Sequence, residues 1–279
     1  MKRFLISLLK SILYTAVFLL IQLVVTLVLS VGTLLIEELL SYLSGSYVFV
    51  ESGDLVSAVT CISAVFTLLF FLVFFALRRK SFSREVRWHK MPSAAKGILG
   101  PLECGFGLSV LSSFLLMMIP FPDAWFSSYD EAMEMMMAGS PLFLAAATVI
   151  AAPFVEEVVF RGLVYTRLCR GMKRWIAALL SAVIFGLVHG TLLHLVYTVP
   201  MGLLLCLFYE KYRTLWAPIV FHMSFNLAGT VLGYYTLSTT ASVVVLLAIG
   251  LYLTVMGFLS MHWYREETMT GNDAPSSDI

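Results

Sequence analysis

Long apolar stretches recur along the whole chain and are separated by short polar segments. A membrane-spanning helix needs about 20 mostly apolar residues, and about eight such stretches can be drawn. They lie near residues 11–36, 55–77, 98–119, 141–170, 175–190, 192–209, 215–236 and 241–261. The pattern predicts an all-α polytopic membrane protein with about eight transmembrane helices.

The polar segments differ in charge on the two sides of these helices. If the N-terminus is placed in the cytoplasm, all 18 Lys and Arg residues fall on the cytoplasmic side, and the opposite loops, such as 120–138, carry only acids. This asymmetry follows the positive-inside rule, and it predicts cytoplasmic N- and C-termini. The basic segment 78–96 is either a solvated loop or a site for anionic lipid headgroups.

Composition supports the same class. The chain is 60% hydrophobic and 13% charged, whereas soluble domains are about 45–50% apolar and about 25% charged. Residues 1–267 are predicted to form one integral membrane domain, and 268–279 a disordered polar tail. No basic face indicates nucleic acid, and the four widely spaced cysteines indicate no disulfide framework. We expect a multi-pass protein of the cell membrane, in particular of the bacterial plasma membrane.

Three charged side chains stand together in the fourth apolar stretch, in the sequence Glu156-Glu157-x-x-x-Arg161. A charge at the bilayer centre costs about 2.5–3.5 kcal/mol on insertion scales, so such groups are usually paired and functional. Glu157 and Arg161 are one helical turn apart on one face, in the favourable order for an ion pair. Glu156 points about 100° away and lies outside that pair. The alternative is that both glutamates neutralise Arg161.

The fifth apolar stretch contains a histidine in the sequence Phe185-x-x-x-His189. Gly186 and Gly190 flank His189 at a spacing of four, which allows helices to approach closely. On its own, a histidine inside a membrane helix is more often a packing residue than a ligand. His194 follows at the outer boundary, where we expect it to be solvated.

The seventh apolar stretch contains His222 and Asn226, four residues apart and therefore on one face of a helix. Alone, they could be an interhelical hydrogen-bonding pair. Counting about 1.5 Å per residue, Glu156, His189, His222 and Asn226 all lie between mid-membrane and the cytoplasmic half. That set of side chains suits hydrolysis. Glu156 can act as a general base on water, and His189 can orient that water. His222 and Asn226 can donate hydrogen bonds to the oxyanion that develops.

These three motifs resemble those of the CPBP family (CAAX protease and bacteriocin-processing, or Abi), which is similar to the type II CAAX prenyl endopeptidases. The motif region, about 140–235, covers roughly a third of the chain. The resemblance implies an intramembrane protease in which Glu156 activates water, His189 assists, and His222 and Asn226 form the oxyanion site. It gives Glu157 and Arg161 a supporting role, and it does not extend to substrate specificity.

The sequence leaves metal dependence open. Glu156, His189 and His222 are a conceivable zinc ligand set, and the family is often labelled metalloprotease. However, His-Glu-x-x-His is absent, and each candidate ligand is on a separate helix. Direct activation of water by Glu156 is slightly favoured.

Three functions are compatible with these features. The first is an intramembrane endopeptidase that cuts a peptide or membrane-protein substrate near the cytoplasmic face. The second is a non-catalytic membrane scaffold or immunity or regulatory protein that binds a membrane partner, although the intact motifs argue against it. The third is a proton-coupled transporter, for which we find no internal repeat. The oligomeric state is not indicated.

Overall fold

The computed structural model describes residues 2–89, 94–234 and 239–270. These residues form helices and no strand, which confirms the all-α prediction. Ten helices are numbered here in chain order: α1 Lys2–Ser44, α2 Ser52–Leu77, α3 Phe82–Glu85, α4 Ala94–Met118, α5 Asp123–Met137, α6 Pro141–Cys169, α7 Arg174–Leu187, α8 Leu192–Tyr212, α9 Trp216–Tyr234 and α10 Thr240–Thr270.

Six of the described helices are long and apolar enough to cross a bilayer, namely α1, α2, α4, α6, α8 and α10. The polytopic membrane architecture is therefore confirmed. Helix α7 has only 14 residues, which is shorter than the hydrocarbon core requires. Helix α9 has 19 residues and includes His222 and Asn226. The number of eight spans and the cytoplasmic termini stay predictions.

The predicted polar tail lies almost entirely outside the described residues. Helix α10 continues to Thr270, so the first three residues of that segment, 268–270, are helical. The described residues divide into two compact units, one formed by 1–87 with 121–203 and the other by 88–120 with 204–279. The prediction of one integral membrane domain stays a prediction.

In the first unit, α1, α2 and α6 pack against one another through aromatic side chains. Tyr14 of α1 meets Phe71 of α2 edge to face, with ring centroids 5.7 Å apart. Phe18 of α1 meets Phe160 of α6 in the same way at 5.8 Å. Phe18, Phe71 and Phe160 are buried, so these contacts join α1 to both α2 and α6.

Helix α5 occupies a segment that the hydropathy pattern predicts to be a loop, 120–138, and that prediction was wrong. Helix α5 runs from Asp123 to Met137, starts after Pro122 and has no fully buried residue. Its apolar residues are interleaved with acids, so it lacks the continuous apolar run by which spanning helices are recognised. Asp123 in the first turn complements the helix dipole and favours helix formation there.

In the second unit, α4 packs against α9 and α10. Gly105 of α4 lies directly against Phe221 and Ser224 of α9, and no Cβ would fit there. Gly107 of α4 is similarly close to Gly250 and Thr254 of α10. The small residues of α4 therefore let three helix backbones approach closely, as is common between helices in membranes.

The membrane-embedded Glu103 of α4 also has a partner in this unit. Its Oε2 atom accepts a hydrogen bond of 3.2 Å from the hydroxyl of Ser260 on α10. Glu103 belongs to none of the three motifs. This hydrogen bond gives it a structural role between α4 and α10.

Candidate active site

Helix α6 carries the two adjacent glutamates, and its hydrogen bonding is not regular. The segments Ala146–Ala151 and Val158–Tyr165 are π-helical, and the α-helical segment Ala152–Glu157 lies between them. Pro153 has no amide hydrogen and disturbs the α-helical ladder. The amide of Ala152 donates to the carbonyl of Ala147, five residues back. Such π-segments frequently occur at functional sites.

The ion pair between Glu157 and Arg161 that the sequence predicts is confirmed. Arg161 Nη1 lies 2.8 Å from Glu157 Oε1, and both side chains are 0% exposed. The guanidinium carbon of Arg161 lies 4.3 Å from the ring centroid of Phe185 on α7. Arg161 Nη2 also donates to the carbonyl of Gly202 on α8, at 3.3 Å. Arg161 therefore links α6 to α7 and α8.

Glu156 has a different environment from its neighbour. Its side chain is partly exposed, whereas that of Glu157 is buried. Glu156 lies close enough to Tyr197 of α8 to act electrostatically on the tyrosine hydroxyl. The helical twist thus separates the two carboxylates. Glu157 neutralises Arg161, whereas Glu156 lies near a tyrosine hydroxyl and keeps some access to solvent.

His189 lies just beyond the last residue of α7, and a backbone carbonyl holds its ring. Its Nδ1 atom is 2.8 Å from the backbone oxygen of Phe185. A carbonyl oxygen can only accept, so Nδ1 bears the hydrogen and the Nε2 atom of the neutral ring carries a lone pair. The Phe185 ring packs edge to face on the imidazole, with centroids 4.6 Å apart. His189 can therefore accept a hydrogen bond from water at Nε2.

A cluster of aromatic rings centred on His194 lies beside His189 in the first unit. The ring of His194 lies 6.0 Å from that of His189, 5.5 Å from Tyr197 and 4.8 Å from Tyr129 of α5. The expectation that His194 is solvated was wrong, because its ring is largely enclosed by these neighbours. Its Nδ1 atom also lies 2.7 Å from the Thr191 hydroxyl, which fixes the ring at the start of α8.

Tyr129 and Tyr197 are candidate site residues that the sequence motifs did not identify. Their hydroxyls hydrogen-bond to each other. Burial raises the pKa of the Tyr129 hydroxyl, so it stays a neutral hydrogen-bonding group at physiological pH. Tyr197 is three residues after His194 and therefore on the same face of α8, which is the one sequence signal that could have indicated it. No such signal connects Tyr129, on another helix, to the cluster.

The two glycines around His189 have different roles. A Cβ on Gly186 would come within 2.7 Å of Leu195 and 2.8 Å of Val199, so this glycine does let α7 approach α8. Nothing lies within 4 Å of the corresponding position on Gly190, and its φ angle is +84°. The predicted packing role of Gly190 was wrong. Gly190 instead supplies a left-handed turn between α7 and α8.

His222 and Asn226 lie on α9 in the second unit. The side chain of His222 is buried at 1% exposure, whereas Asn226 is partly exposed. The residues just before and after His222 pack closely: Phe221 meets the ring of Phe208 at 5.0 Å, and both Phe221 and Ser224 meet Gly105. The histidine is thus held on a well-packed helix surface within this unit.

The side chains that the structure describes include no metal-ligand cluster. Within residues 2–89, 94–234 and 239–270, no three His, Cys, Asp or Glu side chains lie close enough together to ligate one ion. Zinc sites use at least three protein ligands about 2 Å from the metal.

Residues 138–228 match the family model described as type II CAAX prenyl endopeptidase Rce1-like. The predicted family resemblance is confirmed for this segment. The matched segment contains Glu156, Glu157, Arg161, His189, His222 and Asn226.

A Bacillus subtilis (strain 168) protein named "Putative membrane peptidase YdiL" is similar to this chain, with 30% identity over 100 residues. The aligned part covers 36% of this chain and 41% of the relative's length. No solved structure matches the chain significantly.

Proposed function

We propose that the protein is an intramembrane endopeptidase that hydrolyses a peptide bond of a peptide or membrane protein near the cytoplasmic face. One observation carries the proposal: the segment that matches the endopeptidase family holds three intact motifs, and in it Glu157 neutralises a buried Arg161 while the adjacent Glu156 keeps solvent access. The similarity to a Bacillus protein further supports the bacterial plasma membrane as its location.

Glu156 is the general base in this proposal. Its carboxylate takes a proton from water, and the resulting hydroxide attacks the carbonyl carbon of the scissile peptide bond. Protonated Glu156 then returns the proton to the leaving amine as the C–N bond breaks, so atoms and charges balance. Pairing of Arg161 with Glu157 supports this role because the cation is already compensated by the other carboxylate.

His189 orients the attacking water. Because its Nδ1–H is committed to the Phe185 carbonyl, the Nε2 atom accepts the second hydrogen of the water that Glu156 deprotonates. Tyr197, near Glu156, and His194, near His189, hold this side of the site in place. General-base assistance of this kind typically contributes about 10²–10⁴-fold to the rate.

His222 and Asn226 are assigned to the oxyanion on the basis of their motif. An amide N–H and an imidazole N–H both donate to the negative oxygen that develops when hydroxide adds to the carbonyl. Loss of one such donor typically lowers the rate about 10²–10³-fold. The partly exposed amide of Asn226 is consistent with direct contact to substrate.

The test is cleavage of candidate membrane peptides by the full-length protein purified in detergent. Glu156→Ala and His222→Ala should both abolish product formation detected by mass spectrometry. Gln22→Ala, on the partly exposed part of α1, is a control that should leave cleavage unchanged. If both variants cleave as well as the wild type, or support a cellular phenotype equally, the protease proposal fails and the scaffold gains support.

A further inference from the structure

An apolar groove lies between α1 and α2 in the first unit, away from the motif residues. It has a volume of about 860 Å³ and is lined only by aliphatic and phenylalanine side chains of the two helices, including Val24, Val28, Phe70 and Phe74. Ligand pockets typically measure about 300–1,000 Å³. Val24, Val28 and Phe70 are each more than 40% exposed, so the groove opens sideways, towards the bilayer if these helices span it.

A cation stands at one end of this groove. The guanidinium carbon of Arg78, just after the last residue of α2, lies 4.8 Å from the ring centroid of Phe74, which lines the groove. Arg79 follows with a φ angle of +54°, and the turn brings the amide of Lys80 back to the carbonyl of Phe75, at 2.9 Å. The α2 terminus therefore presents exposed cations, among them Arg78 and Lys80, at this end of the groove.

Further basic residues gather at the same place. The ammonium group of Lys10 on α1 experiences the positive charges of Arg78, Lys80, Arg167 and Arg170. Glu85 pairs with Arg167 at 3.0 Å and with Arg170 at 2.8 Å. Glu85 therefore compensates two of these five cations, and the group as a whole is positive.

We propose that this groove and the basic group form a binding site for an anionic phospholipid. Lys10, Arg78 and Lys80 bind the phosphate headgroup, and one acyl chain lies in the groove between α1 and α2. The site does not depend on peptidase activity, so its test and that of the proposed function can fail separately.

Three features favour an anionic phospholipid of the bilayer over other occupants. The lining is wholly apolar, so it offers a peptide backbone no hydrogen-bonding partner. The side opening matches an occupant that enters laterally from the membrane. The excess positive charge at the end of the groove adds a preference for negative headgroups, to which each Lys or Arg near a membrane surface contributes measurably.

The first experiment uses the unaltered protein in phosphatidylcholine nanodiscs. A phosphatidylglycerol probe with a photoactivatable group on one acyl chain should label peptides from α1 and α2 that contain Val24 and Phe70. A phosphatidylcholine probe of the same chain should label them at least tenfold less. Equal labelling by the two probes, or labelling only of other helices, would overturn the proposal.

Variants then separate the headgroup from the chain. Lys10→Gln with Arg78→Gln should weaken phosphatidylglycerol labelling about 25-fold, about fivefold for each cation. The control pair Arg84→Gln with Lys173→Gln removes two exposed cations that do not act on Lys10, and it should leave labelling unchanged. Lys10→Arg with Arg78→Lys retains the charges and should retain binding, which distinguishes lost charge from misfolding.

The groove is tested with one matched pair on α1. Val24→Trp fills the groove and should abolish labelling by both probes, whereas Val31→Trp places the same side chain on an exposed position outside the lining and should not. If Val24→Trp keeps the phosphatidylglycerol preference, the lipid adsorbs only by its headgroup and the proposed site is wrong.

Discussion

Arg161 lies over the ring of Phe185, with its guanidinium carbon 4.3 Å from the ring centroid. This contact joins two motifs that are separate in sequence. Arg161 is held on its own helix by Glu157, next to Glu156, and Phe185 holds His189 through its backbone oxygen. The position of the proposed general base is therefore coupled to that of the histidine through two fully buried side chains.

The two adjacent glutamates should give opposite results when replaced. Glu157→Gln leaves the buried Arg161 without its counter-charge and should destabilise the fold by about 3–5 kcal/mol. Glu156→Gln changes a partly exposed carboxylate and should leave the melting temperature within a few degrees of the wild type. Cleavage by Glu156→Gln should fall at least about 10²-fold. Thermal unfolding in detergent and peptide cleavage measure the two effects, and equal melting losses in both variants would contradict the assignment.

Arg161→Lys should destabilise the protein although it conserves the charge. The lysine ammonium cannot pair with Glu157, stack on Phe185 and reach the Gly202 carbonyl at once, because it lacks the planar guanidinium. Loss of the stacking alone costs about 0.5–2 kcal/mol. Arg170→Lys is the matched control, since Arg170 is half exposed and pairs with Glu85. A melting temperature of Arg161→Lys equal to that of the control would show that the stacking is unimportant.

His189→Asn tests whether the histidine takes part in cleavage or serves only in packing. The asparagine amide lies near the position of Nδ1 and can still donate to the Phe185 carbonyl, but it places nothing at Nε2. We expect cleavage to fall about 10²-fold or more while the melting temperature changes little. His189→Gln, which places a polar atom near Nε2, should retain more activity than His189→Asn. A reversed order would assign the function to the Nδ1 side.

Gly190 should tolerate asparagine better than valine. Its φ angle of +84° is in the left-handed region, which costs non-glycine residues about 1–2 kcal/mol and β-branched residues most. Asparagine adopts this region more readily than other side chains. No atom lies within 4 Å of the position that a Cβ on Gly190 would take. A difference in stability between the two variants would therefore not come from steric contact with neighbouring residues. Equal melting temperatures of Gly190→Asn and Gly190→Val would contradict the backbone explanation.

Chelation should have little effect on cleavage. Because the described His, Cys, Asp and Glu side chains do not form a three-ligand cluster, we expect activity within about twofold of the untreated protein after incubation with a chelator and dialysis. Elemental analysis of the same sample measures bound zinc. Stoichiometric zinc in the wild type that disappears in His189→Ala would overturn this expectation and favour a metal mechanism.

The spanning helices and the buried ion pair were predictable because both depend on local sequence. Apolar runs of sufficient length indicate α1, α2, α4, α6, α8 and α10, and the spacing of Glu157 and Arg161 follows from helical geometry. Helix α5 was not predictable in this way, since it is short and its apolar and acidic residues are mixed. Its Tyr129 meets His194 only through tertiary packing, which neither hydropathy nor motif spacing expresses.

His194 and Gly190 illustrate a second limit. The position of His194 near the end of a predicted span suggested solvent, but the start of α8 and the side chain of Tyr129 enclose it. Gly190 matched a small-residue spacing typical of close helix contact, yet α7 ends at Leu187 before that residue. For Gly190 the true end of α7, a few residues before the predicted one, determined the role of the residue. For His194 the start of α8 was predicted at the right residue, and contacts with other side chains determined its surroundings.

The two π-helical segments on either side of Glu156 imply that motif residues alone do not define an active relative. Each segment holds wider turns than an α-helix, equivalent to a helix with extra residues inserted. A homologue that keeps the same number of residues over Ala146–Ala151 but forms a regular α-helix there would have its glutamate rotated by about 100° relative to the preceding turns. Such a chain would retain every residue of the three motifs, and its general-base glutamate would still point away from the substrate.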